Sequence, residues 1–111
     1  MIIGVDSSQN KDKRTGVAMV ATINESFTDY FNREEIIEEK NKKQICFCIS
    51  SFIETAIQIY KKENKEIPKN IIIYRQGVSL HQKEFLKSEI NQIDLTCKNY
   101  NILYFYILIK K

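Results

Sequence analysis

The stretch of sequence that decides the fold is residues 68–79, Pro68-Lys69-Asn70-Ile71-Ile72-Ile73-Tyr74-Arg75-Gln76-Gly77-Val78-Ser79. A run of β-branched residues ends here in the polar pair Arg75 and Gln76, and a glycine, a serine and a helical pattern follow. This order predicts a strand that passes into a helix through a tight turn. Ligands of open α/β sheets bind at the carboxyl ends of such strands. We therefore expect Arg75 and Gln76 to be presented at a functional edge.

The spacing of apolar residues predicts five strands and two helices. The predicted strands are residues 2–5, 15–23, 27–33 (with 36–37 as a candidate extension), 70–74 and 102–109. One helix covers residues 44–63; a second is capped by Ser79, with Gln82 completing a capping box, and ends before Asn99. Residues 7–14 form a polar loop. The order β-β-β-α-β-α-β predicts a mixed α/β sheet, antiparallel first and parallel later, which is the ribonuclease H-like arrangement.

Length and composition indicate one ordinary globular domain. The chain has 111 residues, of which 43% are hydrophobic and 28% charged, and three glycines and one proline argue against disorder. No apolar run reaches the roughly 20 residues that span a bilayer. The first residues lack the basic and long apolar regions of a signal peptide. We expect an intracellular protein, cytoplasmic or nuclear, without a membrane partner.

The cysteines and the histidine do not predict a metal centre. Cys46, Cys48 and Cys97 accompany a single histidine, His81, which leaves too few ligands for zinc. Cys46 and Cys48 lie two positions apart in a helical pattern, so their side chains point to different faces. Because free cysteine is often fully buried, we expect packed, reduced thiols.

One acidic residue marks the predicted edge of the sheet. Asp6 closes the first predicted strand, and in a ribonuclease H-like sheet this position lies beside the end of the fourth strand. Nucleases of this fold hold two divalent ions between carboxylates there, and hard oxygen ligands suit Mg²⁺ or Mn²⁺. The fourth-strand position is occupied by Gln76, whose neutral amide cannot bridge two cations. Metal binding at Asp6 is therefore predicted to be weak or absent.

Basic residues near the same edge are candidates for nucleic-acid contacts. The net charge is +3, from 17 basic and 14 acidic side chains, which permits such binding without requiring it. Arg75 could hold a phosphate in a bidentate fork, or form a surface ion pair. Lys11, Lys13 and Arg14 lie in the polar loop that follows Asp6. They could contact a nucleic-acid backbone or be simply solvated.

The decisive stretch also resembles a family motif. Residues 74–79 closely resemble the Tyr-Arg-Asp-Gly-Val-Ser motif of PIWI domains, the slicing module of Argonaute proteins, with Gln76 in place of the aspartate. The resemblance extends to residues 1–6, 15–24, 28–33 and 44–45 and to Glu89, and is closer to the PIWI clade than to the Argonaute clade. It implies a partial PIWI domain over residues 1–111, truncated after the fifth strand.

The resemblance implies a slicing centre that keeps one of its acids. The family uses two aspartates, a glutamate, and a histidine or a further aspartate. Asp6 matches the first aspartate, and Gln76 stands in place of the second. Gln44, or Lys43 if the alignment is shifted by one residue, stands in place of the glutamate. The fourth member falls beyond the fifth strand, and His81 does not match it. The acids that could substitute for the glutamate are Glu34, Glu35, Glu38 and Glu39.

The resemblance implies a slicer-defective domain of the RNA-silencing machinery. Such a domain is expected to bind guide or target RNA and to need no cofactor. Two alternatives stay open. One is a protein-interaction module on a degenerate PIWI fold, in which the aromatic run 104–106 binds the remainder of an Argonaute/PIWI protein or another protein. The other is a residual endoribonuclease that uses Asp6 with Glu38 or Glu39 and Mg²⁺ or Mn²⁺.

Overall fold

The structure, a computed structural model, describes residues 1–9, 14–38, 42–78 and 82–109. Within these residues it has the predicted order of elements. The strands are β1 (Ile2–Gln9), β2 (Arg14–Thr22), β3 (Tyr30–Glu38), β4 (Asn70–Gln76) and β5 (Leu103–Leu108), and the helices are α1 (Lys42–Asn64) and α2 (Lys83–Asn99).

All five strands form one mixed sheet in the order β3-β2-β1-β4-β5. The first three strands pair antiparallel, and β1, β4 and β5 run parallel to one another. The central strand, β1, therefore has an antiparallel partner on one side and a parallel partner on the other. The long connections through α1 and α2 provide the crossovers that parallel pairing needs. This arrangement confirms the predicted ribonuclease H-like fold.

The hydrophobic core lies between the two helices and one face of the sheet. Alternate residues of β1 and β4 point into it because successive side chains of a strand face opposite ways; Ile3, Val5, Ile71 and Ile73 are buried. From α1, Phe52 is fully buried and stacks on Phe31 of β3, with ring centroids 5.2 Å apart. Burial of this apolar surface is the main stabilising contribution to the fold.

The opposite side of the sheet, here called the open face, carries Gly4, Asp6, Tyr74 and Gln76. Large apolar side chains are exposed on it at Val20, Tyr30, Ile36, Tyr74, Leu103, Phe105 and Ile107. Among the residues that the structure describes, both helices pack against the core side. An apolar surface of this extent is typical of a face that binds something else.

The first hairpin is longer than predicted. Residues 7–14 are not a loop throughout, because β1 continues to Gln9 and pairs with β2 as far as Gln9 opposite Thr15. Ser8 and Gln9 are exposed, so this end of the strand has no apolar pattern, and the pairing satisfies its backbone groups. Asp6 thus lies within β1, where the pairing with β4 ends.

The third strand begins later than predicted and extends further. Phe27 was expected in this strand but lies in a turn with a φ of 57°. Asn24 organises the turn, since its Oδ1 accepts hydrogen bonds from the backbone N–H groups of Thr28 and Asp29 at 2.9 and 3.2 Å. The extension through residues 36–37 is confirmed.

The second helix starts without the predicted capping box. Its N-cap is Gln82, which makes no side-chain capping hydrogen bond, and Ser79 lies outside the described residues. Its buried residues are Glu89, Ile93 and Cys97. Of the residues predicted for the inner face, only Ile93 is fully buried; Phe85, Leu86 and Ile90 are half-buried. The buried face of α2 is therefore rotated toward Glu89 relative to the face that the sequence pattern predicts.

Candidate functional site at the ends of the central strands

Four residues form a row across the open face. Asp6 of β1 pairs with Gln76 of β4 on one side and with Ala18 of β2 on the other, and Ala18 pairs with Glu34 of β3. Directly paired residues project from the same face of a sheet. The structure thus brings Asp6 and Gln76 together as neighbours. It places Glu34 two strands from Asp6, about 10 Å between backbones.

A shallow cavity of about 520 Å³ lies over this row. Its floor includes the small residues Gly4 and Ala18, so the backbone is accessible there. Besides Tyr74, the residues with polar side chains that line it are Asp6, Asn32, Glu34 and Gln76. Two carboxylates and two amides make the cavity a set of hydrogen-bond acceptors and donors with net negative charge.

The turn after β4 holds Gln76 against β1. Gly77 has a φ of 85°, a conformation that other residues rarely adopt. A Cβ at this position would lie 1.9 Å from the carbonyl oxygen of Ser7 and 2.8 Å from Oδ1 of Asp6. Only glycine fits so close to the neighbouring strand, which explains the glycine after Gln76.

The prediction that Arg75 is presented at the edge as an exposed cation is wrong. Its side chain is fully buried on the core side of the sheet, where its Nε donates a hydrogen bond to Oε2 of Glu89 at 2.9 Å. The reason is strand alternation, because Arg75 follows Ile71 and Ile73 on the same face. A buried guanidinium cannot form the proposed phosphate fork.

Glu89 and Tyr106 were not predicted as parts of this corner. The Tyr106 hydroxyl donates to Oε2 of Glu89, and Nη1 of Arg75 donates to the backbone carbonyl of Gln76. Burial, followed by the neighbouring Glu89 carboxylate, raises the pKa of Tyr106. In the sequence, the alternation of β4 indicates that Arg75 is buried. A buried arginine requires an acidic partner, which here is Glu89.

The remaining predicted site residues fall in other places. Gln44 is exposed in the first turn of α1 and does not line the cavity. Arg14 begins β2, with its Nε 4.0 Å from Oε1 of Glu38. Oε2 of Glu35 accepts a hydrogen bond from Cys48 on the helical side. Lys11, Lys13, Glu39 and His81 lie outside the described residues.

The three cysteines are buried and unpaired by disulfides, as predicted. Burial is the main cause that raises the pKa of Cys46 and of Cys97 to about 11 and that of Cys48 to about 12. Thiols with such values are protonated at neutral pH and are poor nucleophiles. In the described parts of the chain no group of three His, Cys, Asp or Glu side chains is placed to hold a metal ion. Neither described helix is long and apolar enough to cross a membrane.

Comparison with known proteins supports the resemblance. The chain matches the Piwi domain family over residues 1–111. It is 33% identical over 114 aligned residues to Protein argonaute-3 of Drosophila melanogaster, which covers 100% of this chain and 13% of that protein. The chain therefore spans a small part of the length of this relative.

Solved structures show the same fold. The MID-PIWI domains of the N. crassa Argonaute QDE-2 superpose with a TM-score of 0.78 at 18% identity, covering 96% of this chain and 34% of that one. The Marinitoga piezophila Argonaute, solved in complex with 5′-OH guide RNA, gives 0.69 at 21% identity and covers 96% of this chain and 16% of that one. With the family match over its whole length, the chain belongs to the Piwi domain family.

Proposed function

We propose that this chain is a Piwi-type RNA-binding domain that does not cleave RNA. The observation that carries this proposal is the direct pairing of Asp6 with Gln76. A ribonuclease H-like nuclease needs an anionic ligand at both positions, and here the second is a neutral amide. Binding of a guide or target strand does not require that charge.

The donor set at the row does not fit a two-metal centre. A unit charge about 4 Å from a cation is worth about 4 kcal/mol at an effective dielectric constant of 20. The neutral amide of Gln76 lacks this attraction for each of the two ions that a carboxylate at position 76 would bridge. Glu34 lies across Ala18 from Asp6, too far to take the place of the Gln76 side chain. We propose that the domain uses no metal cofactor.

RNA is the partner that the family favours. The Marinitoga piezophila relative was solved with guide RNA, and this chain shares its fold. The cavity over Asp6 and Glu34 is negatively charged, so it is unsuited to phosphates. Phosphate contacts are therefore assigned to Lys11 and Lys13, which lie between β1 and β2 in the sequence, and to Arg14 at the start of β2. We propose an intracellular location, where such RNA is found.

Protein interaction is the second candidate, favoured by the exposed apolar side chains of β5. Leu103 and Phe105 are 62% and 52% exposed on the open face. The aromatic run 104–106 does not act as one unit, because Tyr104 and Tyr106 turn toward α2 and hydrogen-bond Asp94 and Glu89. A protein partner would therefore contact Phe105 and its neighbours on that face.

The first experiment measures RNA affinity and oligomeric state together. We expect a labelled single-stranded RNA to bind with an affinity that falls roughly 20-fold between 50 and 200 mM salt, the result for about three phosphate contacts. Lys11→Glu with Lys13→Glu should weaken binding strongly. The matched control is Lys61→Glu with Lys62→Glu, in the last turn of α1. The measurement is fluorescence anisotropy, with light scattering on the same samples.

Two outcomes would contradict the RNA assignment. One is equal loss of affinity in both charge-reversal pairs, which would indicate only non-specific attraction. The other is a salt-resistant oligomer with no measurable RNA affinity, which would support the protein-interaction candidate instead.

The second experiment restores the missing carboxylate. The wild-type chain should not cleave guide-paired RNA with Mg²⁺ or Mn²⁺, and Gln76→Asp should bind Mn²⁺ at least about tenfold more tightly, because a second anion then faces the ion. Gln92→Asp, the same change on α2, is the control and should have no effect. Mn²⁺ affinity is measured by calorimetry. Robust cleavage by the wild type that Asp6→Ala abolishes would overturn the proposal and favour the residual nuclease.

A further inference from the structure

We propose that Arg75, Glu89 and Tyr106 form a positioning network that fixes the end of β4 beside β1 and so sets the geometry of the Asp6–Gln76 corner. The inference rests on the proposed function only in taking this corner as the site. The three residues belong to β4, α2 and β5, three elements that meet behind the open face.

The contacts of the network converge on the last residues of β4. Arg75 donates through Nε to Glu89 at 2.9 Å and through Nη1 to the carbonyl oxygen of Gln76. Tyr106 donates to the same Glu89 oxygen. The carbonyl oxygen of Arg75 in turn accepts a hydrogen bond from the N–H of Ile109 at 2.8 Å. The backbone carbonyl oxygens of both Arg75 and Gln76 therefore accept hydrogen bonds.

These bonds act where the pairing of β4 with its neighbouring strands ends. The pairing between β1 and β4 ends at Asp6 and Gln76, and Gly77 then turns the chain away. Neither of the next two described residues, Gly77 and Val78, is paired with a neighbouring strand. The guanidinium of Arg75 donates a hydrogen bond to the backbone carbonyl of Gln76. A group inside the core therefore sets the orientation of the peptide group that follows Gln76.

Filling the core does not explain why these residues are charged. Apolar residues of similar volume are often as stabilising as a buried ion pair. Nη2 of Arg75 and Oε1 of Glu89 are buried and hydrogen-bond to no other described protein group. What an apolar replacement cannot provide is the directed bond to the Gln76 carbonyl.

The test compares local opening at the two ends of β4 by residue-resolved amide hydrogen exchange of the whole chain. The N–H of Ile109, bonded to Arg75, reports on the end near the site, and the N–H of Ile72, bonded to Met1 at 3.0 Å, reports on the other end. Two changes are made, the double substitution Arg75→Met with Glu89→Leu, and Tyr106→Phe. Exchange at Ile109 should rise about tenfold in the double variant and about fivefold in Tyr106→Phe, while Ile72 stays within about twofold.

The matched control is Tyr104→Phe, which removes a similar tyrosine–acid bond to α2, at 3.1 Å from Asp94, without touching Arg75. It should leave Ile109 unchanged. Unchanged exchange at Ile109 in Tyr106→Phe, or equal acceleration at both amides, would overturn the proposal and leave a purely structural role. Tyr106→Phe removes only a hydroxyl, so it keeps the test valid if the double variant does not fold. The readout needs neither RNA nor metal, so its failure is distinct from failure of the proposed function.

Discussion

Glu89→Leu should destabilise the protein by about 3–5 kcal/mol, because it leaves the guanidinium of Arg75 charged and unpaired in the core. Both side chains have no exposed surface, so water cannot replace the lost partner. The substitution also removes the acceptor of the Tyr106 hydroxyl. The free energy of unfolding, measured in urea by circular dichroism, checks the result.

The double variant Arg75→Met with Glu89→Leu is the control for this prediction. It removes both charges, and it should recover most of the lost stability, since a buried pair can be replaced by apolar residues with little net change. Lys98 and Asp94 offer a comparison at the surface, where the Lys98 side chain is 74% exposed. Asp94→Leu removes this exposed ion pair and the hydrogen bond from the Tyr104 hydroxyl, and it should lower stability much less than Glu89→Leu does. A Glu89→Leu effect no larger than that of Asp94→Leu would refute the buried-pair account.

Gly77→Ala should be the most damaging change of a single small residue, with a loss of at least about 3 kcal/mol. Two effects add. A φ of 85° is strained for alanine, and its Cβ would meet the Ser7 carbonyl oxygen at 1.9 Å. The backbone must therefore move away from β1, which separates Gln76 from Asp6. Thermal unfolding measures the stability, and amide chemical shifts of residues 6–8 and 76–78 measure the displacement.

Gly16→Ala is the matched control, because an added Cβ there has nothing nearer than 3.9 Å. It lies in β2, opposite Ser8, and should change stability by less than about 1 kcal/mol. If Gly77→Ala were tolerated as well as Gly16→Ala, the close approach of the β4 turn to β1 would not exist in solution.

The order of elements and the meeting of Asp6 with Gln76 could be predicted from the sequence. Buried strands and an amphipathic helix leave strong periodic patterns, and the ribonuclease H-like arrangement that their order indicates places β4 beside β1. Residues 7–9 could not be assigned to β1 in this way. Their side chains show no apolar pattern. They form a strand because they pair with β2, and local composition does not predict that pairing.

Two site residues, Arg75 and Glu34, differ in how far the sequence predicts their positions. The prediction for Arg75 considered only its positive charge, which favours exposure. Strand alternation after Ile71 and Ile73 instead places its side chain in the core. Glu34 was recognised only as one of several nearby acids. Its place in the row depends on the register of β2 with β3, which pairs Ala18 with Glu34 and which the sequence pattern does not specify.

The central position of β1 has a consequence for how the molecule folds. Its antiparallel partner follows almost at once in the chain, whereas Asp6 and Gln76 are about 70 residues apart, a large loop to close. The local hairpin can form early, but the corner that carries the candidate site must await the arrival of β4. Folding intermediates of this chain should therefore contain the hairpin and lack the site.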